Sequence, residues 1–324
     1  MSVLSAEKTL QDWNLRPSSF QGFIGQEQEI KNLKIFITAA KKRHDPLDHV
    51  LLHGPPGLGK TTLAHLIAIE LESTFKATSA PILTKTGDLA ALLTGLSPRD
   101  VLFIDEIHRL PVTIEEMLYA AMEDRKIDIM LGQGPHAKSM QLPLPPFTLI
   151  GATTRCGMLS GPLRDRFGIL LPLSYYHSQE LALILLKACE KLALDIEQEA
   201  LLEIATRSRG TPRIALRLLK RVRDFAEVSY SFPVTQNLAQ YTLGEMGISQ
   251  EGLDPLDQRY LHVLQNILNR GPAGIDTLSS LLNETKETLE DVVEPYLLQQ
   301  GFIQKTPRGR IVVRDFQLQN NKTP

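Results

Sequence analysis

Gly54-Pro55-Pro56-Gly57-Leu58-Gly59-Lys60-Thr61 stands between the apolar run Val50-Leu51-Leu52-His53 and a helical pattern carried by Leu63, Leu66, Ile67 and Leu71. The octapeptide has the form Gly-x-x-x-x-Gly-Lys-Thr. Its glycines let successive backbone N–H groups turn inward around phosphate, its lysine reaches the outer phosphates, and its threonine hydroxyl suits Mg²⁺. The helix that follows, Thr61 to about Glu70, aims the positive end of its dipole at the same anions. Gly57, Leu58, Gly59, Lys60, Thr61 and Thr62 are therefore the candidate nucleotide-binding residues, and a nucleoside triphosphate is the expected ligand.

Outward from this loop, short apolar runs alternate with helical patterns. Val50–His53, Phe75–Thr78, Val101–Ile104, Phe147–Ala152 and Ile169–Leu173 read as strands of a parallel sheet covered by helices, an α/β arrangement. Val101-Leu102-Phe103-Ile104 ends in Asp105-Glu106. A carboxylate at a strand end beside a phosphate loop can hold the Mg²⁺ shell, so Asp105 joins Thr61 as a candidate metal ligand. Glu106 can orient or deprotonate an attacking water, which binding alone would not require. Thr113 to Glu116 has capping-box spacing and predicts a helix through about Met122.

Phe147-Thr148-Leu149-Ile150-Gly151-Ala152 ends in Thr153-Thr154-Arg155. Such a polar tip can sense a γ-phosphate, and it also fits ordinary strand-end threonines. Arg164 and Arg166 precede an apolar strand, and Arg213 opens a helix. Arginine spreads transition-state charge on a phosphate through its fixed fork of donors, while a surface ion pair of Arg164 with Asp165 is the competing reading. Seven basic residues lie between Arg207 and Arg223. With Ile214, Leu218, Val222 and Phe225 as their apolar stripe, they read mostly as a solvated helix face.

At 324 residues the chain suits two or three domains. Its 43% apolar and 22% charged composition is that of a soluble globular protein. The longest apolar run, Leu181 to Leu186, is too short to span a bilayer, and the polar start Met1-Ser2-Val3 reads as no secretory signal. Cys156 and Cys189 have no metal spacing and suit reduced thiols, so a cytoplasmic location without membrane partners is expected. A net charge of −2 means that any nucleic-acid partner must be met by a local basic patch.

Strand patterns cease after Leu173, and helical patterns run from Ser178 to about Val228. Beyond a Pro/Gly-punctuated stretch from Gly244 to Pro255 come helices at Leu256–Leu268, Leu278–Leu282 and Lys286–Gln300. Alternating strands Phe302–Lys305 and Arg310–Val313 follow, joined by Thr306-Pro307-Arg308-Gly309. Lys305, Arg308, Arg310 and Arg314 cluster on this hairpin, which suggests a winged helix whose cations meet phosphates without reading bases. A second hairpin is predicted within the α/β part. Ile127–Leu131 and Met140–Leu144 alternate about a loop at Gly132–Lys138. Apolar residues near its tip fit a docking site, and burial against the parent domain fits equally.

Together these parts resemble the AAA+ ATPases and, within them, the RuvB family of Holliday-junction branch-migration motors. The resemblance is carried by Leu15-Arg16-Pro17, Phe23-Ile24-Gly25-Gln26, Gly54–Thr61, Ile104–Arg109, Gly132-Gln133-Gly134-Pro135, Ile150–Arg155, Leu163–Gly168, Arg209–Arg213, Glu294–Phe302 and Thr306–Arg310. It implies a P-loop AAA+ ATPase domain with a parallel sheet over 1–177, a small all-α lid domain over 178–248 and a C-terminal winged-helix domain over 249–324. It further implies ATP and Mg²⁺, a homohexameric ring around duplex DNA at Holliday junctions, a RuvA-like junction-binding partner and a RuvC-like resolvase in the same complex. By the same resemblance Arg166 matches a finger reaching a neighbour's γ-phosphate, Thr154 a first sensor and Arg213 a second. Leu15, Arg16 and Ile24 match the segment along the adenine, and Tyr176 a tyrosine closing the pocket. Glu123, Asp124 and Arg125 match a stretch near the nucleotide at the subunit boundary. Lys305, Arg308 and Arg310 match DNA contacts, and Met140 and Leu142 the apolar hairpin that engages the partner. Lys138 and Lys305 stand where the family usually has arginine, which keeps the charge and loses the planar fork.

Two other functions fit parts of the pattern. A clamp-loader-type AAA+ switch predicts a C-terminal helical collar in place of a winged helix. An ATP-binding scaffold without turnover has no use for Glu106 beside an intact Lys60 and Asp105.

Overall fold

The computed structural model describes residues 15–131 and 138–316. The tip of the internal hairpin, Gly132 to Ala137, lies outside them. The chain divides into two compact units, Met1–Tyr175 and Tyr176–Pro324.

The first unit is built on five parallel strands: β1 (Val50–His53), β2 (Phe75–Ser79), β3 (Val101–Asp105), β6 (Thr148–Thr153) and β7 (Ile169–Pro172), in the order β2-β3-β6-β1-β7. Between them in sequence, β4 (Lys126–Leu131) and β5 (Lys138–Pro143) form a separate antiparallel hairpin. Strands β1, β3 and β6 are buried along nearly their whole length, as continuous apolar runs in a two-sided parallel sheet should be. The strand order puts β6 between β1 and β3, with Leu51 opposite Gly151 and Ile104 opposite the same glycine. Because all five strands run the same way, the ends of β1, β3 and β6 open on one edge of the sheet, where ligands of open α/β sheets bind.

The covering helices are α1 (Glu27–Arg43), α2 (Lys60–Glu70), α3 (Thr86–Thr94), α4 (Val112–Glu123) and the short α5 (Gly161–Asp165). One departure from the sequence reading occurs at α4. It begins at Val112 after Pro111, with no side-chain cap, so Thr113 lies inside the first turn and forms no capping box. Proline's fixed φ already presets a helix start, which makes the threonine cap unnecessary.

The second unit opens with four helices: α6 (Ser178–Leu192), α7 (Gln198–Thr206), α8 (Pro212–Ser229) and α9 (Gln236–Glu245). Leu181, Leu185, Ala188, Leu201, Ile204, Leu218, Leu219, Val222 and Leu243 supply their buried faces. Next come α10 (Pro255–His262), α11 (Ile275–Leu282), α12 (Lys286–Thr288) and α13 (Glu294–Gln299). Wider π-type turns at Val263–Ile267 and Leu289–Val293 extend α10 and join α12 to α13. The hairpin β8 (Ile303–Thr306) and β9 (Gly309–Val312) closes the fold, with Lys305 opposite Arg310 as the sequence alternation places them and both strands bounded one residue nearer the turn. Ala273 exchanges both backbone hydrogen bonds with Arg310, a single bridge on the outer edge of β9. At Gly309, φ is +131° and a Cβ would lie 2.4 Å from the Ala273 carbonyl oxygen, so only glycine allows that approach. Tyr260, Leu261, Leu278, Leu289, Leu297 and Phe302 form the core beneath this hairpin.

Candidate active site

The phosphate loop leaves β1 through three left-handed glycines, Gly54 (φ 141°), Gly57 (φ 81°) and Gly59 (φ 101°). A Cβ on Gly54 would sit 2.4 Å from the Leu173 carbonyl oxygen, so the loop can start its turn only at glycine. Leu58 is fully buried beneath the loop and pins it to the core. Lys60 is 8% exposed and donates to the carbonyls of Gly54 (2.7 Å) and Pro55 (2.8 Å), so the loop curls around its ammonium. Thr61 and Thr62 follow in the first turn of α2. Burial and the Lys60 charge lower the pKa of neighbouring His53 and favour its neutral form. This backbone fits a polyphosphate: three glycines at positive φ, a helix N-terminus and one buried cation lie in a single loop. Thr61 and Asp105 offer the hard oxygen ligands that Mg²⁺ takes.

At the end of β3, Asp105 accepts the Glu106 N–H at 3.0 Å. Glu106 has φ 51° and ψ 41°, a left-handed conformation that costs a non-glycine residue about 1 kcal/mol or more and is typical of functional turns. The turn throws Glu106 off the strand axis, so its carboxylate faces the tip of β6. There the Thr154 hydroxyl lies 3.5 Å from Glu106 Oε2. Phosphate loop, Asp105-Glu106 and Thr154 therefore share one edge of one sheet.

Gln26 joins the N-terminal segment to the exit of β7. Its amide donates to the Ser174 carbonyl at 2.7 Å and accepts the Ser174 N–H at 3.0 Å. Leu15, Arg16 and Ile24, half-buried, belong to this segment.

Arg166 follows α5, whose Ser160 cap accepts the Leu163 N–H. Its guanidinium donates to Glu123 at 2.7 Å and to the Pro162 carbonyl at 2.8 Å, and lies 4.6 Å from the centre of the Tyr119 ring. Its ion-pair partner is Glu123, at the end of α4. Asp124 pairs with Lys126 at 3.4 Å, and Arg125 turns the chain with φ 54° into β4.

Tyr176 and Arg213 belong to the second unit. Tyr176 is buried and donates its N–H to the Gly210 carbonyl at 2.9 Å, while Arg213 is exposed in the first turn of α8.

On the internal hairpin, Ile127 pairs with Leu142 and Ile129 with Met140, so all four share one face. Ile127 is fully buried, Ile129 and Leu142 pack partly against the core, and Met140 is 48% exposed. The apolar face emerges from the domain as it approaches the tip. Of the two residues expected to dock a partner, Leu142 packs partly against the parent core, and Met140 is the more exposed.

The cations of the wing differ in their partners. Arg310 is 12% exposed at its side chain and gives its guanidinium to Glu294 (2.8 Å) and Glu290 (2.8 Å). Lys305, its cross-strand neighbour, pairs with the same Glu294 at 2.7 Å. Glu294 is fully buried, also accepts the Tyr260 hydroxyl at 3.0 Å, and has its pKa lowered by these cations against the effect of burial. Arg310 therefore neutralises an internal carboxylate. Arg308 stands exposed at the turn, and Arg314 lies over the Phe302 ring at 4.8 Å. Only the partner of Arg310 and Lys305, on a helix eleven or more residues away, distinguishes them from Arg308, and no local pattern marks it.

Comparison with known proteins covers nearly the whole chain. The family model of the Holliday junction DNA helicase RuvB P-loop domain matches residues 15–173, the RuvB AAA lid domain 176–249, and the RuvB C-terminal winged helix domain 250–315. The Holliday junction branch migration complex subunit RuvB of Neorickettsia sennetsu is 53% identical over 309 residues, covering 95% of this chain and 93% of that protein. That of Campylobacter jejuni subsp. doylei is 56% identical over 298 residues, covering 92% and 89%. The structure of the Thermotoga maritima RuvB Holliday junction branch migration motor superimposes with a TM-score of 0.85 at 49% identity, over 93% of this chain and 96% of that one.

Proposed function

The chain belongs to the RuvB family, and from that membership we propose that it is an ATP-driven motor that pumps duplex DNA to drive branch migration of Holliday junctions in recombination and DNA repair. It works as a homohexameric ring with a RuvA-like junction-binding protein, beside a RuvC-like resolvase, in the cytoplasm. No helix among the described residues is long and apolar enough to cross a membrane. Three parts divide the labour: the ATPase domain to residue 177, the lid to 248 and the winged helix beyond.

What supports turnover, rather than nucleotide binding alone, is Glu106 held in a left-handed turn at the sheet edge shared with Lys60 and Thr154. Lys60 and the loop N–H groups hold the phosphates, and Glu106 accepts the proton of the attacking water. Mg²⁺, held by Thr61 and Asp105, would neutralise charge on the phosphate oxygens when bound. Thr154 orients Glu106 toward the γ-phosphate. Arg166 serves the nucleotide of a neighbouring subunit, with Glu123, Asp124 and Arg125 at that boundary. Leu15, Arg16 and Ile24 line the adenine side, and Tyr176 and Arg213 act on nucleotide from the lid.

Helices followed by a β-hairpin from Pro255 onward favour the motor over a clamp-loader switch, which needs a helical collar there. Steady-state phosphate release on a four-way junction tests the proposal. Glu106→Gln should keep ATP binding and nearly abolish turnover, whereas Lys60→Ala should lose binding itself. Wild-type turnover in Glu106→Gln would remove the base from the mechanism.

A further inference from the structure

One buried histidine beside the hydrolytic carboxylate has no part in the mechanism above. His108 lies in the single helical turn Ile107–Arg109 that follows Glu106, closed by the Arg109 N–H donating to the Glu106 carbonyl at 2.8 Å. That turn brings the imidazole back over the end of β6, where its side chain is only 6% exposed. Its Nδ1 lies 2.9 Å from the Thr153 hydroxyl and 3.4 Å from Glu106 Oε2. Thr153 is fully buried, and its backbone carbonyl accepts the N–H of Gly54, the first residue of the phosphate loop, at 3.3 Å. One nitrogen therefore stands between the phosphate-loop side of the sheet and the carboxylate that activates water.

The chemistry of its neighbours decides what that nitrogen carries. The Thr153 hydroxyl can accept from Nδ1 or donate to it, whereas the Glu106 carboxylate offers only lone pairs. A bare Nδ1 would set its own lone pair against Glu106. A proton on Nδ1 makes both contacts attractive, so the ring carries hydrogen there and donates between the two oxygens.

We infer that His108 is a positioning residue for hydrolysis, its Nδ1–H holding Glu106 Oε2 against the tip of β6 so that the remaining carboxylate oxygen is directed to the attacking water. The inference rests on the reading of Glu106 as the general base. Thr154 touches the same Oε2, so both threonines at the β6 tip bear on Glu106, Thr153 through the imidazole and Thr154 directly. A shift of that strand end when the γ-phosphate binds or leaves is then felt by the carboxylate without any long-range change.

Amide side chains test the role of the one nitrogen. The asparagine amide falls near the position of Nδ1 and the glutamine amide near that of Nε2, while both keep polarity and much of the volume. In the full chain with ATP, Mg²⁺ and junction DNA, His108→Ala and His108→Gln should lower kcat on the order of tenfold, with KM little changed. His108→Asn should recover most of the wild-type kcat. Affinity for an ATP analogue with an imido β–γ bridge should stay within about twofold in all three, because binding does not use Glu106. Equal losses in His108→Asn and His108→Gln would make the histidine a packing residue and overturn the inference. If His108→Ala fails to fold, the Asn–Gln pair still decides it. Glu106→Gln is measured alongside. An active Glu106→Gln removes the base itself, whereas an inactive Glu106→Gln with a normal His108→Ala overturns the role of His108 alone.

Discussion

Arg166 donates its Nη2 to Glu123 Oε2 at 2.7 Å across the gap between α5 and the end of α4, with both side chains partly open to solvent. An ion pair so exposed contributes about 0–1 kcal/mol, so it parks the guanidinium without locking it. Arg166→Ala should therefore leave the melting temperature and the subunit's own nucleotide affinity close to wild type while stopping ATP turnover. Mixed with Lys60→Ala, it should regain part of the activity, since some interfaces then pair an intact arginine with an intact phosphate loop. A mixture no more active than its separate components, in a phosphate-release assay, would place Arg166 outside the neighbour's site.

Arg308 and Arg310 of the wing should separate cleanly. Arg308→Ala should reduce the slope of log K against log salt for duplex binding by about one unit, with no loss of stability. Arg310→Ala removes one of the two cations on buried Glu294, which Lys305 and Tyr260 still partner, so it should cost less than the ~3–5 kcal/mol of a fully unpaired buried charge yet still lower the melting temperature before DNA is added. Salt titrations of DNA affinity and thermal melts of the two variants check this. A stable Arg310→Ala with a weakened salt slope would reverse the assignment.

Met140→Asp should abolish binding to the RuvA-like partner on a native gel and leave partner-free ATPase intact. Leu142→Asp buries a charge against the ATPase core and should lower stability as well, whatever it does to the partner. Co-migration of Met140→Asp with the partner would move the docking site elsewhere.

Asp257 provides a pH signature in the second unit. It is fully buried, and burial pushes its carboxyl from the ordinary 3.8 up to about 7, opposed by Arg209 and reinforced by Asp254. The folded state then holds a proton that the unfolded chain has already lost, so stability falls as pH rises from about 4 to about 7 and levels above that. Its Oδ2 accepts from Arg209 and from the Asp254 N–H, while Oδ1 has no partner. Asp257→Asn can keep both bonds with its amide oxygen and remove the titration. Thermal melts at pH 5, 6, 7 and 8 should show wild type losing ground to Asp257→Asn up to about pH 7 and running parallel beyond. Parallel curves throughout would mean that Arg209 keeps the carboxylate ionised.

Much of the architecture was legible because it is local. Val50–Leu52 and Val101–Ile104 declare buried parallel strands by composition, Gly54–Thr61 specifies its own backbone, and Asp105-Glu106 declares its chemistry by ending a strand. Strand bounds move by a residue, as at β8–β9, while the pairing of Lys305 with Arg310 stays as the alternation implies. At α4, proline replaced the expected threonine cap.

By itself, the sequence determined the phosphate loop, the acidic strand end and the order of strands, lid helices and wing, since each depends on residue type, spacing and hydrophobic period within a few tens of residues. Only the tertiary structure decided which side chains meet across longer separations: Arg310 with Glu294, Arg166 with Glu123, His108 with Thr153, and Leu142 rather than Met140 against the core. Period assigns a residue to a face of its own element. What lies opposite that face depends on how elements pack, and in each of these cases that neighbour decides whether a charge is free, a carboxylate is oriented or an apolar side chain is left for a partner.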